Sequence, residues 1–200
     1  MFNKAFLFLH KLYHWTLGWA SHPYALYALF ILALLESSVF PIPPDILLIA
    51  MTVANPFHWL RFAFLATTAS VLGGVLGYGI GFLFYEVIGR AVIEFYHASE
   101  LVDAIGIRYS AYAFITIFTA AFTPIPYKVI TISAGFFKVP FWTLVFASIV
   151  GRGLRFFSIA LLLRLFGERI KQFIDRYFNI LTVVFLILFI GGFIALKFLF

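Results

Sequence analysis

Cysteine is absent from this chain of 200 residues, which excludes a disulfide, an iron–sulfur cluster and a thiolate zinc site. Charge is scarce as well, because charged residues make up 11% of the chain where a soluble domain carries about a quarter. No polar stretch is long enough to form a soluble domain of its own. These shortages exclude a soluble globular fold, and we expect a single domain, residues 1–200.

The chain is rich in apolar residues, which are 64% of the total and give a mean hydropathy of +1.07. A helix needs about 20 such residues to cross a bilayer, so several crossings fit. The composition therefore predicts an all-α integral membrane protein. Its net charge of +6 is scattered, which indicates attraction to anionic lipids and no binding of nucleic acid.

The N-terminal segment, residues 1–22, predicts an amphipathic helix in the membrane interface. Between residues 3 and 19, basic and polar residues recur at spacings that share one helical face, and large apolar residues occupy the rest. A signal peptide is the competing interpretation, but no small-residue cleavage site follows a clean apolar core.

One proline motif occurs twice with one charge reversed. FPIPPDILLIA at residues 40–50 returns as TPIPYKVITIS at residues 123–133. The matching positions are Pro41, Pro43 and Asp45 in the first copy and Pro124, Pro126 and Lys128 in the second. Proline interrupts a helix because it lacks the backbone donor and clashes with the preceding turn. Paired broken helices in the two halves of a membrane chain point to a transport site.

The apolar arms on either side of each motif are too short to cross a bilayer. Two short arms around a break describe a re-entrant hairpin, which lipid tolerates only where protein or water covers the opened backbone. We therefore expect two hairpins, broken at residues 36–45 and 123–128, whose tips meet near the middle of the membrane.

The remaining apolar stretches predict about three full spans and a surface helix. The expected spans are residues 60–85, 141–166 and 177–199, and the surface helix is residues 90–108. ASVLGG at 69–74 matches ASIVGR at 147–152, so the repeat extends beyond the hairpins and covers residues 23–89 and 109–167. Because a single crossing separates the hairpins, the second must enter from the opposite face, and the repeats should be inverted. The bias of lysine and arginine places the N-terminus in the cytoplasm.

Five ionisable residues fall where the predicted elements lie within the membrane. A charge at that depth costs roughly 2.5 to 3.5 kcal/mol on insertion scales, so it persists where it pairs, faces water or functions. Glu36 and Asp45 are candidate proton-coupling carboxylates, because burial raises a carboxyl pKa and a nearby cation lowers it. The alternatives are that Asp45 caps the second arm and that Glu36 forms a fixed ion pair.

The other three are basic: Lys128, Arg152 and Arg155. Together they would form a cationic pocket for a lipid phosphate, with arginine as a bidentate fork and lysine as a point charge. The alternatives are that Arg155 extends to the interface, or that the cations neutralise the two acids across the pseudo-twofold axis.

Other sequence signals concern packing or are missing. Gly73, Gly77 and Gly81 recur every fourth residue, and these glycines with Gly151 are expected to let helices approach closely. The five histidines show no metal-ligand spacing, and no nucleophile elbow, Walker or dinucleotide motif occurs. We expect no metal, no cofactor and no catalytic residue.

With these residues in view, the chain resembles the DedA family, the bacterial branch of the group that shares the VTT (SNARE-associated Golgi protein) domain. The resemblance covers about residues 24–167. It rests first on a proline-rich break that begins and ends with an acid, from Glu36 to Asp45. A glycine-rich span at 73–81 and Gly151 in a later span also match. The last element is a proline followed by a basic residue and then by Ala-Gly. These last positions are Pro124, Lys128, Ala134 and Gly135.

The resemblance implies facing re-entrant hairpins and lipid translocation in the bacterial inner membrane, with undecaprenyl phosphate or other phospholipids as cargo, often dependent on the proton motive force. The chain departs from the family pattern at three positions. Pro44 stands where many members have glycine, Ala121 stands where an arginine usually precedes the proline, and Lys128 replaces a second arginine one residue further along. The FTPIPYK string is similar to the YqaA-like branch.

The first hypothesis is thus a flippase or scramblase for a phosphate-bearing lipid. A proton-coupled carrier of a small ion or solute on the same fold is the alternative. An intramembrane lipid phosphatase would need a nucleophile with a base in reach, and no histidine lies at a hairpin tip. A scaffold that forms a homo-oligomer through the glycine stripe would tolerate neutral replacements at Asp45 and Lys128, which a transporter would not.

Overall fold

A computed structural model describes residues 22–38, 43–123 and 125–167. Within these ranges the regular structure is entirely helical, with no strand. The expected N-terminal helix, Pro41, Pro124 and the expected C-terminal span at 177–199 lie outside the described residues.

Most helix ends lie close to a proline or a glycine in the sequence. Their bounds are α1 Ala25–Ser38, α2 Asp45–Ala54, α3 Trp59–Phe84, α4 Arg90–Phe95, α5 Ser99–Ala111, α6 Ala113–Phe122, α7 Tyr127–Phe136 and α8 Phe141–Gly167. A 3₁₀ turn, Pro56–His58, precedes α3, and a π turn, Tyr85–Gly89, joins α3 to α4. We call α1 with α2 the first helix pair and α6 with α7 the second.

Each helix pair is interrupted at its proline motif. Helix α1 ends at Ser38 and α2 begins at Asp45, directly after Pro44. Helix α6 ends at Phe122 and α7 begins at Tyr127, directly after Pro126. The interruptions occur because proline lacks a backbone donor and clashes with the preceding turn. Asp45, in the first turn of α2, also interacts favourably with the dipole of that helix.

Among the described residues, two helical stretches are long and apolar enough to cross a membrane, Pro56–Phe95 and Phe141–Gly167. They contain the predicted spans at 60–85 and 141–166. Helices α5 and α6 meet at 70° and together make a third candidate. The predicted surface helix at 90–108 is divided, since α4 ends at Phe95 and the chain turns through His97 with φ of 51° before α5.

Helix α3 packs against both α1 and α7, and small residues set the distance. A Cβ added to Gly73 would overlap the Leu34 carbonyl and Ser37 on α1, whereas one added to Gly77 would meet Thr131 on α7. Gly81 faces the Ile132 carbonyl of α7 in the same way. The glycine stripe therefore lies at helix contacts on both sides of α3.

The matched ASVLGG and ASIVGR strings occupy comparable positions. Gly73 of the first string touches α1, the first arm of the first helix pair. Gly151 of the second string touches Phe118 and Ala121 of α6, the first arm of the second helix pair. In each half of the chain, the long helix (α3 or α8) therefore contacts the first arm of the helix pair (α1 or α6). In both halves the contact is made by the glycine at the same position of the matched string.

Candidate functional site

Helix α8 brings two arginines onto the two acids of the first helix pair. Arg152 Nη2 lies 3.2 Å from Glu36 Oε2, near the end of α1. Arg155 Nη2 lies 3.1 Å from Asp45 Oδ2, at the start of α2. The side chains are 3% exposed for Arg152 and 15 to 19% exposed for the other three. We call these four residues the ion-pair cluster.

Arg155 has almost all its donors occupied. Its Nε and Nη2 donate to the two carboxylate oxygens of Asp45, each over 3.1 Å, in the planar fork that suits guanidinium. Its Nη1 donates to the carbonyl of Thr123 over 2.8 Å, at the end of α6. Arg155 therefore connects α8 to the interruptions of both helix pairs.

Arg152 is more deeply buried and less completely bonded. Its guanidinium carbon lies 4.2 Å from the centroid of the Tyr127 ring and 5.8 Å from that of Phe156, so aromatic faces supply part of its stabilisation. Its Nε is buried with no hydrogen-bond partner among the described residues. A buried charged donor left open in this way is costly, and it is available to an incoming acceptor.

Hydroxyl groups fix the surroundings of Arg152 and Glu36. The fully buried Tyr127 donates its hydroxyl to Ser148 Oγ. Ser37 Oγ donates to Glu36 Oε2 over 3.1 Å and lies 2.6 Å from Ser70 Oγ. These contacts hold in place the Tyr127 ring and the Glu36 carboxylate, both of which contact Arg152.

Lys128 differs from the two arginines. It lies in the first turn of α7, is partly buried, and forms no ion pair with any described acid. The five predicted charges therefore separate into two arginine–carboxylate pairs and one lysine outside them. A Cβ added to Gly153 would make only an ordinary contact with Thr67 at 3.9 Å, whereas Gly151 is packed against α6.

Several residues of the site were not singled out from the sequence. Tyr127, Ser37 and the Thr123 carbonyl contribute contacts that only the fold reveals. A signal was available for two others, because Ser70 and Ser148 occupy the same position in ASVLGG and ASIVGR. Each bonds to a residue beside a proline motif, Ser70 to Ser37 and Ser148 to Tyr127.

The cluster pairs each carboxylate with a guanidinium in a largely buried setting. Removing one partner of a buried pair costs about 3 to 5 kcal/mol, because the other charge is left without compensation. Guanidinium groups also match the geometry of phosphate oxygens, so an anion of that kind is chemically able to compete with either carboxylate.

Comparison with known proteins agrees with this picture of a helical membrane protein. The VTT domain model matches residues 42–165, a range that includes Asp45, Lys128 and both arginines of the ion-pair cluster. An uncharacterised protein of Haemophilus influenzae is 32% identical over 186 residues, covering 93% of this chain and 96% of the relative.

A second uncharacterised relative comes from Histophilus somni. It is 30% identical over 168 residues, covering 82% of this chain and 87% of its own. No solved structure matches. The domain match and the near full-length relatives lead to one conclusion: this chain belongs to the VTT-domain family, the group of the DedA proteins.

Proposed function

We propose that this protein moves a phosphate-bearing lipid, such as undecaprenyl phosphate or a phospholipid, between the leaflets of the bacterial inner membrane in a step linked to protons. The observation that carries the proposal is the buried ion-pair cluster, in which α8 pairs with both arms of the first helix pair. Charges are kept at such depth mainly where they serve transport.

The proposed phosphate site consists of Lys128 and Arg152. Lys128 has no carboxylate partner within the described ranges, and Arg152 has an unused Nε. A phosphate oxygen is a strong acceptor of the kind that the Lys128 ammonium and the Arg152 Nε lack. We place Arg155 in this site only after Asp45 has released it, because its donors are otherwise occupied.

Proton coupling follows from competition for the arginines. In the resting cluster Glu36 accepts from Nη2 of Arg152, so a phosphate that binds both Nε and Nη2 must displace Glu36. Protonation of Glu36 removes its charge and lowers the cost of that displacement. Lipid phosphate and proton therefore bind together, which links lipid movement to the proton gradient.

The Arg155 contacts provide the conformational part of the mechanism. While Asp45 is charged, Arg155 holds the start of α2 and the end of α6 against α8. Protonation of Asp45 removes the negative charge that Arg155 binds and weakens these two bonds, so the two helix pairs are freer to separate. Alternate opening of two facing hairpins toward opposite leaflets would carry the head group across.

The proposal includes inverted repeats, re-entrant hairpins and a cytoplasmic N-terminus. The comparable contacts of Gly73 and Gly151 with the first arm of each helix pair support the repeat. Helices of 10 to 14 residues flank each interruption, which is shorter than the length a crossing needs. Scanning accessibility of single introduced cysteines is practical because the chain has none, and it tests both topology and orientation.

The decisive experiment is lipid translocation by the purified protein in proteoliposomes. Fluorescent phospholipid and labelled polyprenyl phosphate are supplied in one leaflet, and their loss from it is followed with and without a pH gradient. We expect movement that Lys128→Gln and Arg152→Gln abolish. Arg164→Gln is the matched control, because Arg164 lies on the same helix but is exposed and outside the cluster.

A result without lipid movement under any gradient contradicts the proposal. Proton-driven uptake of a small ion or solute by the same vesicles would then support the carrier on this fold. Both outcomes are informative only if the variants insert and fold like the parent, which their thermal unfolding in detergent measures.

A further inference from the structure

Two serine hydroxyl groups meet beside the Glu36 carboxylate. Ser37 follows Glu36 in α1, and Ser70 lies on α3, 33 residues after Ser37; both serines are fully buried. Their Oγ atoms are 2.6 Å apart, and Ser37 Oγ also donates to Glu36 Oε2 over 3.1 Å. A hydroxyl that donates to a charged carboxylate makes one of the stronger kinds of hydrogen bond in a protein.

Close helix packing brings the two hydroxyls together. A Cβ added to Gly73 would lie 2.8 Å from Ser37 Cβ, and one added to Gly77 would lie 3.5 Å from the Ser37 carbonyl oxygen. Glycine at these positions lets α1 approach α3, because no side chain stands between the helices. Two glycines of the stripe therefore have a specific effect, which is to place Ser37 against Ser70.

The chemistry of the three groups fixes the direction of these bonds. An ionised carboxylate only accepts hydrogen bonds, and a serine hydroxyl has one proton to donate. Ser37 gives its proton to Glu36, so Ser70 is the donor in the bond between the serines. The chain runs from Ser70 through Ser37 to Glu36, and donation by Ser70 strengthens the bond that Ser37 makes.

The serine at the matching position of the second string has a different acceptor. Ser148 accepts from Tyr127 and donates to the carbonyl of Leu144, four residues earlier in its own helix. That chain ends on a neutral backbone group, whereas the chain from Ser70 ends on a charge. Serine stands at both positions of the repeat, and of the two it is Ser70 whose chain reaches a carboxylate.

Glu36 Oε2 is shared by two donors that belong to different helices. Arg152 Nη2 donates to it from α8 over 3.2 Å, and Ser37 Oγ donates to it from α1. Because Ser37 and Glu36 lie on the same helix, their bond does not depend on the position of α8. Ser37 can therefore stay on Glu36 when Arg152 turns to another acceptor, and a largely buried carboxylate without any donor would be costly.

We propose that Ser37 and Ser70 are positioning residues that hold the charged Glu36 when Arg152 leaves it. Ser37 is the partner that stays, and Ser70 keeps the Ser37 hydroxyl turned toward the carboxylate. The pair thereby lowers the cost of releasing Arg152 to phosphate, a role that rests on the exchange proposed above. Without the Ser37 hydroxyl, Arg152 is the one remaining donor to Glu36 among the described residues, and phosphate displaces it less readily.

Infrared spectroscopy of the purified full-length protein in detergent tests the bond itself. The Glu36 carboxylate band is identified as the band that Glu36→Gln removes from the spectrum of the parent. We expect Ser37→Ala to shift this band and Ser70→Ala to shift it less, in the same direction. In an Arg152→Gln background, where the arginine is gone, the carboxylate band should persist and Ser37→Ala should still shift it.

Ser38→Ala is the matched control. Ser38 is the next residue of α1, is buried as well, and donates to the carbonyls of Leu34 and Leu35 in its own helix. Its replacement removes the same hydroxyl from the same turn without touching the carboxylate. The Glu36 band should therefore stay where it is in the parent.

Titration with polyprenyl phosphate connects the bond to the proposed exchange. Ser37→Ala should bind about tenfold more weakly than the parent, because the displaced Glu36 has lost a hydrogen bond to its charge. The same change in a Glu36→Gln background should have little effect, since no charge remains to be held. Ser38→Ala should bind like the parent.

Four results would overturn the proposal: an unshifted Glu36 band in Ser37→Ala, an equal shift in Ser38→Ala, loss of the carboxylate band in Arg152→Gln, or an equal loss of phosphate affinity on Ser37→Ala with and without Glu36→Gln. A parent that does not bind polyprenyl phosphate contradicts the proposed cargo, and the infrared comparison then decides the role of the serines separately. If Arg152→Gln does not fold, the phosphate titration of Ser37→Ala decides the matter.

Discussion

Arg155 joins the two proline motifs by bonding a side chain in one and a backbone carbonyl in the other. It grips both oxygens of Asp45 and donates to the Thr123 carbonyl over 2.8 Å. The contact with Asp45 joins two opposite charges, whereas the contact with the carbonyl joins a charge to a neutral group. A neutral side chain at position 45 would therefore weaken the connection without removing it.

The first prediction concerns this connection. Asp45→Asn and Arg155→Gln should each lower the unfolding free energy by about 3 to 5 kcal/mol, because each leaves a largely buried charge without its partner. The double variant should lose less than the sum, with a coupling of about 0.5 to 3 kcal/mol. Reversible unfolding in mixed micelles measures all four proteins. Strict additivity would show that the ion pair contributes nothing to the fold.

The second prediction concerns the competition between Glu36 and the lipid phosphate. Glu36→Gln removes the charge that holds Arg152, so at one fixed pH this variant should bind polyprenyl phosphate about tenfold more tightly than the parent. Glu100→Gln, which removes an exposed acid outside the cluster, should bind like the parent. Titration of the three proteins at the same pH measures this. Equal affinity in Glu36→Gln and the parent would exclude Glu36 as the competing acid.

The third prediction separates two roles of Tyr127. Tyr127→Phe removes the hydroxyl bonded to Ser148 and keeps the ring beside Arg152, so it should cost about 1 kcal/mol of stability and little phosphate affinity. Tyr127→Leu also removes the aromatic face, worth about 2 kcal/mol to a desolvated cation, and should weaken phosphate-lipid binding by about tenfold or more. Equal binding by the two variants would show that the ring does not position Arg152.

The fourth prediction compares two glycines at the contact between α3 and α7 with a third glycine of α3 outside that contact. Gly81→Ala should destabilise by about 1 to 3 kcal/mol or more, because its new Cβ would overlap the backbone of α7. Gly135→Ala, which faces the Tyr78 carbonyl of α3 across the same contact, should behave alike. Gly79→Ala, which meets nothing within 4 Å, should be neutral or slightly stabilising. Unfolding in detergent compares the three.

Much of the helical framework is predictable from composition and local chemistry. The predicted span at 60–85 corresponds to α3 at Trp59–Phe84, and the span at 141–166 to Phe141–Gly167. Proline requires the interruptions before Asp45 and Tyr127, since neither helix can continue through it. The division of the surface helix at His97 was less predictable, because no proline or glycine stands there.

The sequence singled out five charges but could not say which of them pair. Depth and scarcity of charge identified Glu36, Asp45, Lys128, Arg152 and Arg155, because each is costly within an apolar chain. The sequence left two arrangements open, a cationic pocket or neutralisation of the acids by the cations. The observed pairing is that Arg152 and Arg155 bond to the acids and Lys128 does not. Which groups bind phosphate remains a proposal for the translocation experiment.

The sequence by itself determined that this is an α-helical membrane protein, where its helices are interrupted, and which few charges its interior must accommodate. These properties depend on local composition, proline chemistry and the cost of charge in an apolar medium. Only the tertiary structure decided that Arg152 lies against Tyr127 and Glu36 while Arg155 holds Asp45 and the Thr123 carbonyl. Such partners are more than 20 residues apart in the chain, so helix packing, set by close contacts at glycine, brings them together.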